Sequence, residues 1–144
     1  MTSDHNKRNR ASRDRLAAVI AWMSGESVVL PGGWTAGALL AHLAFWDSFG
    51  AARIEKYIRD GKPMEFGSDV LTEFINAAGL AQWTATPVGA AAELATTAAA
   101  KIDRLIEGLP QDTHDGIRAM NLPRVLDRSL HRKEHLDQIE RALR

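Results

Sequence analysis

The chain has 144 residues, of which 45% are hydrophobic and 25% are charged, and its formal net charge at pH 7 is zero. These values are typical of one globular domain that can fold alone, and they do not indicate a nucleic-acid or acidic-membrane partner. The sequence contains no cysteine, which excludes disulfides, a thiolate nucleophile of its own and cysteine-ligated zinc.

The N-terminal segment has no apolar stretch of the signal-peptide kind, and no apolar run reaches the roughly 18–20 residues that a membrane span needs. We therefore expect a cytoplasmic protein without a membrane partner, folded as a single domain over residues 1–144. Near-neutral charge and alanine-rich helix faces also predict a homodimer.

The first predicted helix follows a segment, residues 2–15, that is rich in lysine and arginine. Such a run is typical of a solvated helix face, and a nucleic-acid contact is the alternative. Apolar residues then recur at helical spacing, and the helix is predicted to end near Ser24 and Gly25. These apolar residues are Leu16, Val19, Ile20 and Met23.

The second predicted helix runs from Ala36 to Asp60, with Thr35 as its N-cap and Gly61 at its end. His42 lies on its apolar side, where an imidazole without a partner is costly. The apolar stripe comprises Leu39, Leu43, Trp46, Gly50, Ile54 and Tyr57.

The segment after Gly61 is too apolar for a plain loop and predicts one short helix that lies across the bundle and is broken near Gly79. Such a crossover lets the next main helix, which Pro87 starts, run in the same direction as the helix before it. A polar connection from Gly108 to Gly116 then leads to the last helix, Asn121 to Arg144, with Pro123 near its start.

No segment alternates apolar and polar residues over the length of a strand. The predicted fold class is therefore all-α, a four-helix bundle with a long crossover between the second and third main helices. The predicted core includes Leu43, Trp46, Ile54, Leu94, Ile102, Leu105, Leu136 and Ile139.

Two histidines of the last helix, His131 and His135, are four residues apart. This spacing places both on one helix face with Cβ atoms roughly 5–6 Å apart, so they could bind one metal ion and fill at most half of its coordination sphere. An isolated pair of this kind is also typical of ordinary interhelical histidines. The zincin motif H-E-x-x-H is excluded because Arg132 follows the first histidine. If the second and fourth helices are antiparallel, His42 lies level with the pair.

Two motifs resemble one known family. The stretch W-T-A-G-A-L-L-A-H-L-A-F-W-D from Trp34 to Asp47 and the stretch H-R-K-E-H-L-D-Q-I from His131 to Ile139 are similar to the second and fourth helices of the DinB-like four-helix bundles. These include bacterial thiol-dependent S-transferases and the metal-binding domain of mycothiol-dependent maleylpyruvate isomerase. That isomerase carries a further C-terminal domain, so we expect the single-domain S-transferases to be the closer match.

The resemblance implies that His42, His131 and His135 hold one divalent ion, zinc or nickel, with positions left open for water or substrate. It also implies a small-molecule substrate and, for the S-transferases, a low-molecular-weight thiol as co-substrate. Asp127 and Glu134 are candidates for carboxylates that orient the imidazole rings, with surface ion pairing as the alternative. Asp47 is predicted to be either part of the site or a solvated charge beside Trp46.

Three function classes remain open at this point. In the first, an external thiol with a lowered pKa attacks an electrophile, as in an S-transferase. In the second, the same metal activates water, which would make the protein a hydrolase. In the third, the histidines are core residues of a helical module that binds or sequesters a ligand without catalysis.

Overall fold

The computed structural model describes residues 3–65 and 68–144, and within them the regular structure is helical, with no strand and one isolated β-bridge between Val29 and Thr35. The predicted all-α class is confirmed. No helix in this described part of the chain is long and apolar enough to cross a membrane. The helices are α1 (Asp4–Met23), α2 (Ala36–Asp60), α3 (Asp69–Ala85), α4 (Val88–Glu107), α5 (Gln111–Ala119), α6 (Pro123–Leu126) and α7 (Ser129–Leu143).

Helix α2 lies at the centre of the packing, with contacts to α3, α4 and α7. The hydroxyl of Thr35 accepts a hydrogen bond from the backbone N–H of Ala38 and so caps the start of α2, as predicted. Gly61 ends the helix with φ 65°, in the left-handed region that glycine tolerates. Local sequence signals therefore define both ends of the helix that carries His42.

Helix α4 packs closely against α2 because the N-terminal part of its buried face is made of small residues. Ala91, Ala95 and Ala99 recur every four residues and are almost completely buried. The prediction that Leu94 belongs to the core is wrong, since its side chain is 53% exposed. The alanine stripe, and not the larger leucine beside it, faces α2, because two helix backbones approach more closely across small side chains.

The other predicted core positions differ in how deeply they are buried. Trp46 and Leu105 are only partly buried. The remaining five are buried, and they are Leu43, Ile54, Ile102, Leu136 and Ile139.

The crossover helix α3 is longer than predicted and is not broken at Gly79, because its 17 residues run from Asp69 to Ala85 without interruption. A Cβ atom at Gly79 would overlap the indole ring of Trp83, one turn later in the helix. The glycine thus permits a close packing contact, at a helix-propensity cost of about 1 kcal/mol that does not end the helix.

The C-terminal third of the chain contains more helices than predicted. Helix α5 occupies most of the segment that was expected to be a polar connection. The expected single last helix is divided into α6 and α7, with Asp127 in extended conformation between them. Neither a glycine nor a proline marks this division in the sequence.

The basic N-terminal segment of α1 is paired within the molecule. Arg10 contacts Glu107 at 2.7 Å, and Arg15 contacts Asp137 at 2.6 Å. Arg8 likewise contacts Asp127 at 2.8 Å. These arginines join α1 to α4 and to the C-terminal helices, while Arg8 and Arg10 remain more than half exposed, as the predicted solvated face requires.

The N-cap of α2 allows a first test of the fold. Replacing Thr35 with alanine leaves the N–H of Ala38 without its side-chain acceptor. We expect the free energy of unfolding to fall by about 1 kcal/mol, measured by urea denaturation. The control is Thr96→Ala, which removes an exposed hydroxyl from α4 and should change stability by less than about 0.5 kcal/mol. Equal losses in the two variants would contradict the role of the cap.

Candidate metal centre

Three imidazoles from two helices converge on one point. His42 comes from α2, and His131 and His135 come from adjacent turns of α7. The Nε2 atom of His131 lies 3.1 Å from Nε2 of His42 and 3.1 Å from Nε2 of His135. The three potential ligand atoms lie within 4.8 Å of one another, so this group could hold a metal ion. The structure brings together all three residues that the sequence predicted for the site.

The spacing of these nitrogens suits a metal better than it suits hydrogen bonds. Two imidazole nitrogens bound about 2.0–2.1 Å from one ion, at an angle of about 100°, stand about 3.1 Å apart. Mutual hydrogen bonds account for the arrangement less well, because the single Nε2 of His131 faces two other nitrogens and carries at most one proton. A cation at the common point would satisfy all three lone pairs.

Gln138 fixes the orientation of one ring. Its Oε1 lies 2.7 Å from Nδ1 of His135 and accepts the proton of that nitrogen, which leaves Nε2 with a lone pair directed at the other two histidines. Gln138 is therefore the partner that orients a ligand ring. This role of Gln138 was not predicted, although the H-x-x-Q spacing from His135 to Gln138 in the sequence was the signal for it.

The two predicted orienting carboxylates do not have that role. Asp127 instead pairs with Arg8 and accepts a hydrogen bond from the backbone N–H of Ser129. Glu134 has Arg124 as its ion-pair partner, at 3.9 Å, and both side chains are exposed. The alternative that was kept open, surface ion pairing, accounts for Glu134, whereas Asp127 holds the junction between α6 and α7.

Burial keeps the imidazoles of His42 and His131 neutral. Desolvation, together with the nearby imidazole of His135, lowers the pKa of His42 from 6.5 to about 4. Burial is also the main reason why the pKa of His131 is lowered to about 2. His42 is further enclosed by the indoles of Trp34 and Trp83, whose ring centroids lie 5.5 and 5.0 Å from its own. Neutral rings of this kind are the form that binds a metal.

The histidines open onto a cavity of about 510 Å³. Its walls combine apolar and aromatic side chains with a larger number of polar and charged ones, among them Asn76, which accepts a hydrogen bond of 2.9 Å from the indole N–H of Trp46. This volume lies in the range of small-molecule sites. An ion held by the histidines would therefore have room on one side for a further ligand.

A cluster of buried charges lies directly beside the histidines. Arg132, which follows His131 in the chain, is 1% exposed and donates two hydrogen bonds of 2.9 Å to the two carboxylate oxygens of Asp103. It also donates to Asp47 at 3.2 Å, and Asp47 accepts a second bond from Arg128 at 2.9 Å. Asp47 is therefore neither solvated nor bonded to an imidazole.

This buried charge cluster could have been suspected from the sequence. Arg132 stands one turn before Leu136 on the apolar face of α7, and Asp103 stands beside Ile102 on the apolar face of α4. A charged residue in a buried stripe needs an oppositely charged partner. The sequence does not indicate which of these charged residues pair, because the partners are far apart in the chain.

Asn9 of α1 stabilises the start of α7. Its Oδ1 accepts hydrogen bonds from the backbone N–H groups of Arg128 and Ser129, and its Nδ2 donates to the carbonyl of Leu126. Backbone groups that the division between α6 and α7 would leave unpaired are thus satisfied by a side chain of another helix. This junction sets where α7 begins and hence where His131 lies.

Comparisons with protein-family models, with curated proteins and with solved structures gave no match for this chain. The three histidines and the cavity they face are therefore the features of the molecule that bear on its function.

The lowered imidazole pKa values predict how the metal-free protein responds to acid. The unfolded chain protonates His42 near pH 6.5, whereas the folded protein protonates it only near pH 4, so the unfolded state binds more protons between these values. Protonation then favours unfolding, and stability is lost as the pH falls through this window. We expect the thermal midpoint of chelator-treated protein to fall more steeply there than that of His42→Leu, which lacks this titration. Parallel curves for the two proteins would contradict the prediction.

Proposed function

We propose that this protein binds one divalent ion, zinc or nickel, through His42, His131 and His135 and uses it in a thiol-dependent S-transferase reaction on a small molecule. The observation that carries the proposal is the convergence of three imidazoles at the wall of a cavity of about 510 Å³, with Nε2 of His131 3.1 Å from Nε2 of both other histidines and all three ligand atoms within 4.8 Å of one another. Three imidazole ligands with room for a further ligand suit a catalytic site better than a closed structural one.

We further propose that the chain has the topology of the DinB-like four-helix bundles, with α1, α2, α4 and α7 as the main helices and α3 as the crossover. Support comes from the order of these helices and from the pairing of the two motifs across the structure, since His42 of the first motif meets His131 and His135 of the second.

An ion in this site would act as a Lewis acid that lowers the pKa of a bound thiol. The side chains around it have separate roles in the proposal. Gln138 holds His135 in the tautomer that binds metal, and Trp34 and Trp83 keep water away from His42. The chain has no cysteine, so the attacking sulfur must belong to a co-substrate.

Hydrolysis is the second candidate, and one residue favours it. Glu134 lines the same cavity and is the one carboxylate among the described residues that do so. A carboxylate there could accept a proton from an attacking water. The two candidates differ in whether turnover needs a thiol.

The test uses zinc-loaded and nickel-loaded protein with chlorodinitrobenzene and each of three thiols, namely glutathione, mycothiol and bacillithiol. In the expected reaction the thiolate sulfur forms a bond to the aromatic carbon, chloride leaves with the electron pair of the broken bond, and the thiol proton passes to solvent. A parallel assay offers nitrophenyl acetate without thiol. Chelator-treated protein is the control for both.

Thiol-dependent, metal-dependent turnover would support the transferase. Ester cleavage without thiol would replace it with the hydrolase. If the protein binds metal tightly and neither reaction exceeds the metal-free control across all three thiols, the transferase proposal is wrong and the third class, a binding or sequestering module, is favoured.

A further inference from the structure

A second, smaller cleft adjoins the metal cavity. Its volume is about 320 Å³, and it lies between α2 and the segment that begins α6. Phe49 and Pro123 supply apolar walls, and Trp46 lines both this cleft and the metal cavity. Arg124 and Arg128 also belong to both linings, so the two spaces share one boundary.

The cleft is positively charged. Three arginines and no acidic side chain are found among the described residues that line it. Arg128 is engaged with Asp47, and Arg53 donates to the backbone carbonyl of Glu65 while its guanidinium lies 5.7 Å from the ring centroid of Phe49. Burial, and after it the charge of Arg128, lowers the pKa of Arg53, which is the effect of two cations that share a partly desolvated space.

Arg124 is the arginine best placed to bind a ligand. Its side chain is 60% exposed, and its ion-pair partner Glu134 is 3.9 Å away, beyond hydrogen-bonding distance. Its backbone carbonyl accepts a hydrogen bond from Arg128, which anchors the residue while the guanidinium remains at the mouth of both spaces. An arginine in such a position can bind a carboxylate with two parallel hydrogen bonds.

We propose that this cleft, which we call the arginine cleft, binds the carboxylate and flat apolar body of an aromatic acid, with Arg124 contacting the carboxylate and Phe49 and Trp46 contacting the ring. The assignment of this acid as the electrophilic substrate rests on the proposed function, because the shared boundary at Trp46 would place one end of such a molecule beside the histidines. Binding itself requires no metal, since none of the three histidines lines the arginine cleft.

The experiment measures binding of naphthoate and of its neutral analogue naphthamide to metal-free protein, by calorimetry at low salt. We expect naphthoate to bind at least about tenfold more tightly than naphthamide, since a charge-assisted pair is worth more than a neutral one. Arg124→Gln should remove that preference. Arg118→Gln makes the same charge change at an exposed position of α5 and should retain the preference. Phe49→Ala should weaken the binding of both ligands.

Equal affinities for the acid and the amide, or full binding by Arg124→Gln, would overturn the arginine cleft. If naphthoate binds only after zinc is added, the carboxylate sits on the ion, which also overturns the cleft and leaves the proposed metal site intact. If metal-free protein shows the expected preference but zinc is never retained, the cleft stands and the proposed function fails.

Discussion

Loss of His131 should abolish tight metal binding while the protein stays folded. Its Nε2 is the central one of the three, at 3.1 Å from both other ligand atoms, and without it only two imidazoles remain, on different helices. We expect His131→Ala to lose well over the roughly 100-fold in zinc affinity that removal of an outer hydrogen-bond partner can cost. The measurement is competition with a chromophoric chelator, on protein purified without a polyhistidine tag.

Two further variants calibrate this result. Gln138→Ala removes the acceptor that orients His135 but no ligand, so it should lose only about 10–100-fold. His114→Ala removes a histidine that stacks on His5, away from the three ligands, and should bind zinc as wild type does. If His131→Ala or His42→Ala matches His114→Ala, the proposed site is wrong and the histidines are core residues.

The parts of the fold that the sequence predicts are those that local interactions determine. The ends of α2 follow from Thr35 and Gly61, which act within a few residues of themselves. The pairing of His131 with His135 follows from helix geometry alone. The meeting of these two with His42 was predicted on the assumption that their helices are antiparallel, and the structure does bring the three imidazoles together.

The parts that could not be predicted depend on contacts between residues far apart in the chain. The division between α6 and α7 has no local sequence signal, and it is stabilised by Asn9, which comes 119 residues before Arg128. The exposure of Leu94 likewise depends on which face of α4 packs against α2, and these two helices are separate in the chain. Hydrophobicity favours leucine in a core, but the close approach of α4 to α2 favours the alanines beside it.

The buried charge cluster shows the same limit and bears on the function. Asp47 stands in the motif that carries His42, and Arg132 stands between His131 and His135. Their contact therefore ties the two ligand-bearing helices together directly behind the histidines. The buried apolar residues form two separate clusters. Along α2, one cluster ends at Ala44 and the other begins at Ala51, so the charges occupy the space between two apolar cores.

Breaking the buried charge cluster should destabilise the fold more than breaking a surface ion pair with a similar distance between nitrogen and oxygen. Arg132 is 1% exposed, and its removal would take two hydrogen bonds from Asp103, which is completely buried and would keep its ion pair with Arg13 at 2.8 Å. Because Arg13 still compensates part of that charge, we expect Arg132→Met, which keeps most of the side-chain volume, to lower the free energy of unfolding by about 3 kcal/mol, the lower end of the cost of breaking a buried ion pair, in urea denaturation of metal-free protein. That is a large share of the roughly 5–15 kcal/mol typical of a domain.

The matched control is Arg10→Met, which breaks an ion pair of 2.7 Å with Glu107 whose arginine is 55% exposed. Water already solvates the arginine of that pair, so the urea midpoint should stay close to the wild-type value. Arg132→Lys separates charge from geometry, because lysine keeps the charge but cannot bind both oxygens of Asp103 in parallel, and its stability should fall between the other two. If Arg132→Met unfolds at the same urea concentration as Arg10→Met, the buried charges do not stabilise the fold, and His131 is positioned by the Asn9 junction and by the apolar contacts of α7.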